Sequence, residues 1–324
     1  MNSIETDERF PEHIEGGRTY RLLPHNPSDD YYRERTDRNL GWITPEEQEH
    51  IRSSVVGIAG CGGMGGLLAS VFCRLGVGEV RIADTEVFDV SNINRQFAAG
   101  RYTVGKSKAW ETARMTRAVT DDTTLVVYPA GITDDTADPF VDGCDIVCDE
   151  VEFWAVGSRI RLHQAARLHG VPLLNCNTVG FGTRLFRFNP DGYTMEELLG
   201  LTYDAAIALE RKVQERTATH EEVNLVMRRM LDGLVPEVPE YAQDLAQYST
   251  EQRAYERLLD EGRAPIISTN PVLAAGFLAD HVLFALLKDS PVERRYVLPP
   301  PAPGYLYYDC GFHTAKVVER ESVG

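Results

Sequence analysis

Gly60, Gly62, Gly63 and Gly65 stand in the run Gly-Cys-Gly-Gly-Met-Gly, between an apolar stretch at 55–59 and a helical apolar stretch at 64–75. Glycines at a strand–turn–helix junction permit a tight turn and a close approach of backbone to phosphate. The helix N-terminus adds unpaired N–H donors and a partial positive charge. Asp84 ends the next apolar run, 79–84, where a carboxylate accepts hydrogen bonds from ribose hydroxyls. These residues alone leave the nucleotide open. Glycine turns also serve simply to pack a helix on a strand, and an NAD-dependent oxidoreductase shows the same order of elements.

The segment after Asp84 separates the alternatives. Asn92, Arg95, Gln96 and Lys108 gather polar and cationic groups just beyond that strand. Arginine is suited to forked contacts with phosphate oxygens, and lysine to neutralising charge on a leaving pyrophosphate. A dehydrogenase has no need of such a cluster. ATP is therefore the expected nucleotide.

Short apolar runs at 55–60, 79–84, 124–131 and 144–149 alternate with helical patterns at 64–75, 104–119 and 154–169. Strands alternating with helices predict an α/β fold: a Rossmann-like, mostly parallel sheet with helices on both faces. The run 172–190, with central glycines and β-branched flanks, predicts an antiparallel extension by a hairpin. A charged stretch rich in helix formers predicts a helical insertion. The expected division is an N-terminal arm at 1–30, an ATP-binding domain at 31–194, the insertion at 195–264 and a return to the main domain at 265–324. Thr44, Pro45 and Glu47 spell a capping box opening a helix.

The order GxGGxG, then Asp84, then Ser91-Asn92-x-x-Arg95-Gln96, then Val104-Gly105-x-x-Lys108 resembles the adenylation domain of the ThiF and MoeB family, the ubiquitin-activating type. The resemblance covers about residues 31–190 and the C-terminal helix. It implies a MgATP-dependent adenylyltransferase in which a carboxylate oxygen attacks the α-phosphate, giving an acyl-adenylate and pyrophosphate. It further implies that Asp84 holds the ribose, that Asn92, Arg95 and Lys108 hold the triphosphate, and that the enzyme is a homodimer. Arg38 matches the family's arm arginine, which reaches the γ-phosphate in the other subunit.

The chain departs from the family where the pattern D-x-x-D-N is expected. Asp149, Glu150, Val151, Glu152 and Phe153 occupy those places, so Glu152 takes the position of the magnesium-holding aspartate. A glutamate still offers hard oxygens to magnesium. Its extra methylene displaces the carboxylate by about 1 Å, an error that can cost about a hundredfold in rate. The site is thus either retuned or weakened, and a catalytically inactive partner subunit is the second alternative. Asp149 and Glu150 are alternative metal ligands. Cys176 is the candidate acyl acceptor, whereas Cys61 fits the loop as a small side chain.

Six scattered cysteines form no CxxC pair, so neither a disulfide framework nor the family's structural zinc is expected. The missing zinc and the insertion resemble family members that modify ribosomally made peptides, as in the microcin and pantocin pathways. The expected carboxylate belongs to a peptide, small protein or small molecule. A net charge of −16, from 33 basic and 49 acidic residues, disfavours nucleic-acid partners. No basic-flanked apolar leader and no long apolar run are read, so a cytoplasmic protein without a membrane span is expected.

Overall fold

A computed structural model describes residues 4–5, 18–25, 27–215, 217–237, 239, 265–290, 292 and 296–320. The N-terminal half comprises β1 (Ile4–Glu5), β2 (Tyr20–Leu22), α1 (Asp29–Thr36), α2 (Pro45–Ser53), β3 (Val55–Ala59), α3 (Gly65–Leu75), β4 (Glu79–Ala83), α4 (Lys108–Arg117), β5 (Thr124–Tyr128), α5 (Ala137–Val141), β6 (Ile146–Asp149) and α6 (Val156–His169). There follow β7 (Leu173–Val179), β8 (Gly182–Phe188), α7 (Met195–Leu199), α8 (Tyr203–Gln214), α9 (His220–Leu234), α10 (Thr269–Leu286), β9 (Tyr305–Asp309) and β10 (Thr314–Val318). The rest of the expected arm and the insertion beyond Glu237, apart from Pro239, lie outside the described residues.

Among the described residues the strands form one sheet, ordered β1-β2-β5-β4-β3-β6-β7-β8-β9-β10. β5, β4, β3, β6 and β7 run parallel, and β7 to β10 are antiparallel. The hairpin expected at 172–190 is the pair β7–β8, in register from Leu173↔Phe188 to Val179↔Gly182. The expected α/β class with an antiparallel extension is the fold found.

Because side chains alternate along a strand, each central strand feeds two cores. Ile58, Ile82, Val127 and Leu174 pack with α3, α4 and α10. Ala59, Ala83, Val126 and Val147 face the other way, toward α5, α6, α7 and α9. The helix after β3 therefore lies on one face and the helix after β6 on the other, while the two strands are neighbours. Their C-terminal ends diverge into a crevice, the place where open α/β sheets bind ligands.

Local signals set several boundaries. Thr44 Oγ1 accepts from the Glu47 N–H while the Glu47 carboxylate accepts from the Thr44 N–H, so both bonds of the capping box are present. The helix expected from 104 begins four residues later. Bridges Val87↔Ser107 and Phe88↔Val104 hold the preceding segment, and Ser107 caps α4 by accepting from the Trp110 N–H. β2 was read only as part of an extended arm; it pairs with β5 and seats Tyr20 against Trp110, ring centroids 5.1 Å apart. β10 was not anticipated. Its burial is slight, which leaves an edge strand little apolar pattern to read. α10 corrects the reading of apolar runs, being long and apolar enough to cross a membrane by length and composition. Half of it is buried against α3, β7 and β8.

Candidate nucleotide-binding site

The glycine loop is shaped by how closely the chain after β6 approaches it. Gly60 adopts φ +105°, and a Cβ there would lie 1.9 Å from the Glu150 carbonyl oxygen. A Cβ on Gly65 would lie 1.9 Å from the Gly60 carbonyl oxygen, and one on Gly63 would lie 2.9 Å from Pro271 Cγ. These three glycines are required by packing. Gly62 is different: nothing lies within 4 Å of its Cβ position, so the loop presents bare backbone to open space there.

Asp84 follows β4, where its Oδ2 accepts from the Cys61 N–H at 2.7 Å and its Oδ1 from the Glu86 N–H at 2.8 Å. Burial pushes its carboxyl up to about 6, against the opposing pull of Lys108 and of those backbone donors. Lys108, buried at the start of α4, donates to Glu86 Oε2 at 2.5 Å. Burial opposes its charge, but Asp84, Glu86 and Glu152 together hold its pKa above the ordinary value. Asn92 is buried and accepts from the Asp89 N–H at 2.9 Å, closing the single turn of helix Val90–Asn92. Arg95, half-buried, donates to the Ser91 carbonyl at 3.1 Å and to Asn94 Oδ1 at 3.0 Å.

Beside the loop lies a cleft of about 180 Å³. Residues 62–65, 149–153 and 176–179 line it, with Arg95, Gln96, Arg159, Leu231, Val235 and Ile266. Gly62, Gly63, Gly65, Arg95, Gln96 and Glu152 are thus brought together, while Asp84, Asn92 and Lys108 lie outside this lining. Glu152 is exposed at the cleft. Asp149 is fully buried: it binds Arg159 Nε at 2.9 Å, His163 Nε2 at 3.0 Å and Asn175 Nδ2 at 3.2 Å. Burial would raise its carboxyl, yet Arg159 and His163 outweigh that and hold it below the usual range. Glu150 is pushed the opposite way, well up, by burial and by Asp149.

A model of the ThiF family matches residues 36–311. This chain belongs to the ThiF family. Among curated relatives, the adenylyltransferase and sulfurtransferase MOCS3 of Mus musculus is 31% identical over 145 residues, covering 45% of this chain and 31% of that protein. The SAMP-activating enzyme E1 of Haloferax volcanii is 29% identical over 150 residues, covering 46% of this chain and 55% of that protein. This chain therefore spans only a third to about half of these relatives. Among solved structures, PaaA aligns over 98% of this chain and 77% of its own, with TM-score 0.59 and 14% identity. Escherichia coli MccB, crystallised with ATP, aligns over 93% of this chain and 75% of its own, with TM-score 0.58 and 14% identity. At that identity the two structures speak for the fold.

Arg38, exposed on the short turn Asp37–Asn39, does not line the cleft of its own chain. Cys176 lines the cleft but is buried, with Sγ 3.0 Å from Thr183 Oγ1. Burial and the nearby Glu150 push its thiol far up, so it stays protonated and is a poor acyl acceptor as it stands. Among the described residues, no group of three or more His, Cys, Asp or Glu side chains is placed to hold a metal ion.

Sequence reading missed Glu86, Arg159 and the apolar side chains Leu231, Val235 and Ile266. Arg159 left a signal. A cation in the first turn of a helix opposes the helix dipole, and α6 begins at Val156, so an arginine there points to a carboxylate partner. The apolar residues left none, since each reads as ordinary helix or loop packing.

The contrast among the glycines is measurable. Gly60→Ala is expected to destabilise the fold by about 2 kcal/mol or more, because a Cβ meets backbone at a positive φ. Gly62→Ala is expected to change stability by less than about 1 kcal/mol while weakening nucleotide binding. Urea denaturation and calorimetric titration with AMPCPP separate the two. Equal stability losses at both positions would contradict the assignment.

Proposed function

We propose that this protein is a MgATP-dependent adenylyltransferase. It activates a carboxylate of a peptide, small protein or small molecule as an acyl-adenylate. The single observation that carries this reading is the buried Lys108, kept cationic by Asp84, Glu86 and Glu152, at the edge of a glycine loop whose Gly62 is open to a ligand. Family membership and the adenylyltransferase names of relatives support it; nothing among them supports an oxidoreductase.

In this reading Asp84 accepts hydrogen bonds from the ribose, the loop N–H groups near Gly62 meet phosphate oxygens, and Asn92, Arg95 and Lys108 hold the triphosphate. A carboxylate oxygen attacks the α-phosphorus and an O–P bond forms. The bond from that phosphorus to the bridging oxygen breaks, and its electron pair leaves with pyrophosphate. Negative charge grows on the leaving group, and Lys108 and Arg95 are the cations that balance it. Fixed cations in a partly desolvated site need no rearrangement to do so.

Magnesium fits this donor set through one carboxylate. Glu152 is exposed beside the loop, whereas the oxygens of Asp149 are taken by Arg159, His163 and Asn175. Magnesium bound by few protein ligands relies on phosphate oxygens and water for the rest, and it would supply charge neutralisation to the phosphates. Gln96 stands at the boundary between phosphates and cleft.

The exposure of Arg38, away from the cleft of its own chain, supports a homodimer whose arms complete each other's sites. If so, Arg38→Ala and Lys108→Ala, each inactive alone, recover activity when mixed. No recovery would remove the arm from the site.

Exchange of labelled pyrophosphate into ATP measures the central step. Lys108→Ala is expected to lower it about a hundredfold or more. Glu152→Ala should lower it at least about tenfold, and Glu152→Asp should preserve it. An alanine at 152 that leaves exchange unaltered would falsify the metal role. Absence of both exchange and AMPCPP binding in the unaltered protein would sink the whole reading. Because a proton on Asp84 removes an acceptor, AMPCPP affinity is expected to fall as pH drops through about 6. Asp84→Asn should flatten that dependence.

A further inference from the structure

Three polar side chains of the cleft keep a buried atom without a hydrogen-bond partner: Gln96 Oε1, Glu150 Oε1 and Arg159 Nη1. An unpaired buried polar atom costs about 1–3 kcal/mol, so a matching ligand atom gains by meeting it. Arg159 is fixed by Asp149 and by the Val151 carbonyl, and Gln96 is held by burial. The same cleft has an apolar lining from Val179, Leu231, Val235 and Ile266. Two of these, Leu231 and Val235, come from α9 and the residue just after it, within the insertion.

A fixed donor, buried acceptors and an apolar wall are the complement of an acylated α-amino acid. Its carbonyl oxygen suits the arginine donor, its amide N–H suits the glutamine acceptor, and its hydrocarbon side chain suits the wall. The cleft shares Gly62, Arg95 and Glu152 with the proposed phosphate site, while Asp84 and Lys108 lie outside its lining, so an acyl group seated in it would abut the phosphate that it attacks. We propose that this cleft is the acyl subsite and that it selects an α-acylamino carboxylate with an apolar side chain seated on Leu231 and Val235. This rests on the adenylation reading above. The insertion is thereby a specificity element. An N-acylated amino acid and the C-terminal residue of a peptide present the same chemistry.

The test uses stable mimics of the acyl-adenylate: 5′-O-sulfamoyladenosine itself, and the same compound N-acylated with acetyl-leucine, acetyl-aspartate or acetyl-Gly-Gly-Leu. Calorimetric titration of the full chain should rank the leucyl compound about tenfold or more above both the parent and the aspartyl compound. Leu231→Asn should erase the leucyl advantage. Leu231→Lys should turn the preference toward the aspartyl compound, and both variants should bind the parent within about twofold of the unaltered protein. Added affinity for the tripeptide compound assigns a peptide end, and equal affinity assigns a free acylated amino acid; each supports the subsite. An aspartyl compound as tight as the leucyl one, or a preference untouched by Leu231→Lys, overturns the subsite and leaves ATP binding standing. Failure of the parent to bind removes both. Should a variant lose the parent through misfolding, the ranking in the unaltered protein decides.

Discussion

Asp149 is the interaction on which the site depends. It ends β6, the strand beside the glycine-loop strand, and its buried carboxylate gathers Arg159 from α6, His163 one turn further and Asn175 from β7. Asn175 also donates to the Asp149 carbonyl at 2.8 Å. An ionised carboxylate cannot be buried without such partners. The need to satisfy one charge therefore locks together three elements that surround the cleft. The following residue, Glu150, is held where its carbonyl oxygen presses on Gly60, so the shape of the phosphate loop is inherited from the same fixed point. An apolar residue at 149 would pack the strand equally well, but it would leave α6 free to turn and Arg159 without an anchor.

The charges around the loop divide into two groups. Asp149, Arg159 and His163 are sealed in and compensate one another. Asp84, Glu86, Glu152 and Lys108 form an acidic surround with a single cation, whose charge burial opposes. Three carboxylates keep it charged. A nucleotide triphosphate would enter this group as a further set of negative charges, and Lys108 with Arg95 must then serve the phosphates as well as Glu86. Acidic surroundings thus preserve the cation and compete with the ligand for it, a tension that a divalent ion at Glu152 relieves.

Much of this was legible in the sequence because its signals are local. The short apolar runs at 55–59 and 79–83, the glycine turn between them and the capping box at Thr44 each depend on a few adjacent residues. The cluster from Asn92 to Lys108 was also readable, since its residues follow one strand end. What could not be read depends on residues distant in the chain. Arg159 reveals its partner only once α6 lies across β6. Leu231 and Val235 look like ordinary core positions until α9 is seen beside the glycine loop. Cys176 drew attention by type, but its reactivity is set by burial and by Glu150, 26 positions earlier.

The glutamate at 152 is intelligible in this frame. The segment between β6 and α6 is irregular, with Ala155 N–H bonded to the Glu152 carbonyl at 3.0 Å and Phe153 meeting Trp154 edge to face at 6.4 Å. Phe153 lines the cleft, where the family pattern has an asparagine. An aromatic ring there enlarges the apolar lining that Leu231, Val235 and Ile266 also form. Glu152 keeps its carboxylate exposed beside that ring. The two departures from D-x-x-D-N thus sit side by side on the cleft: Phe153 adds to its apolar lining, and Glu152 supplies the exposed carboxylate next to it.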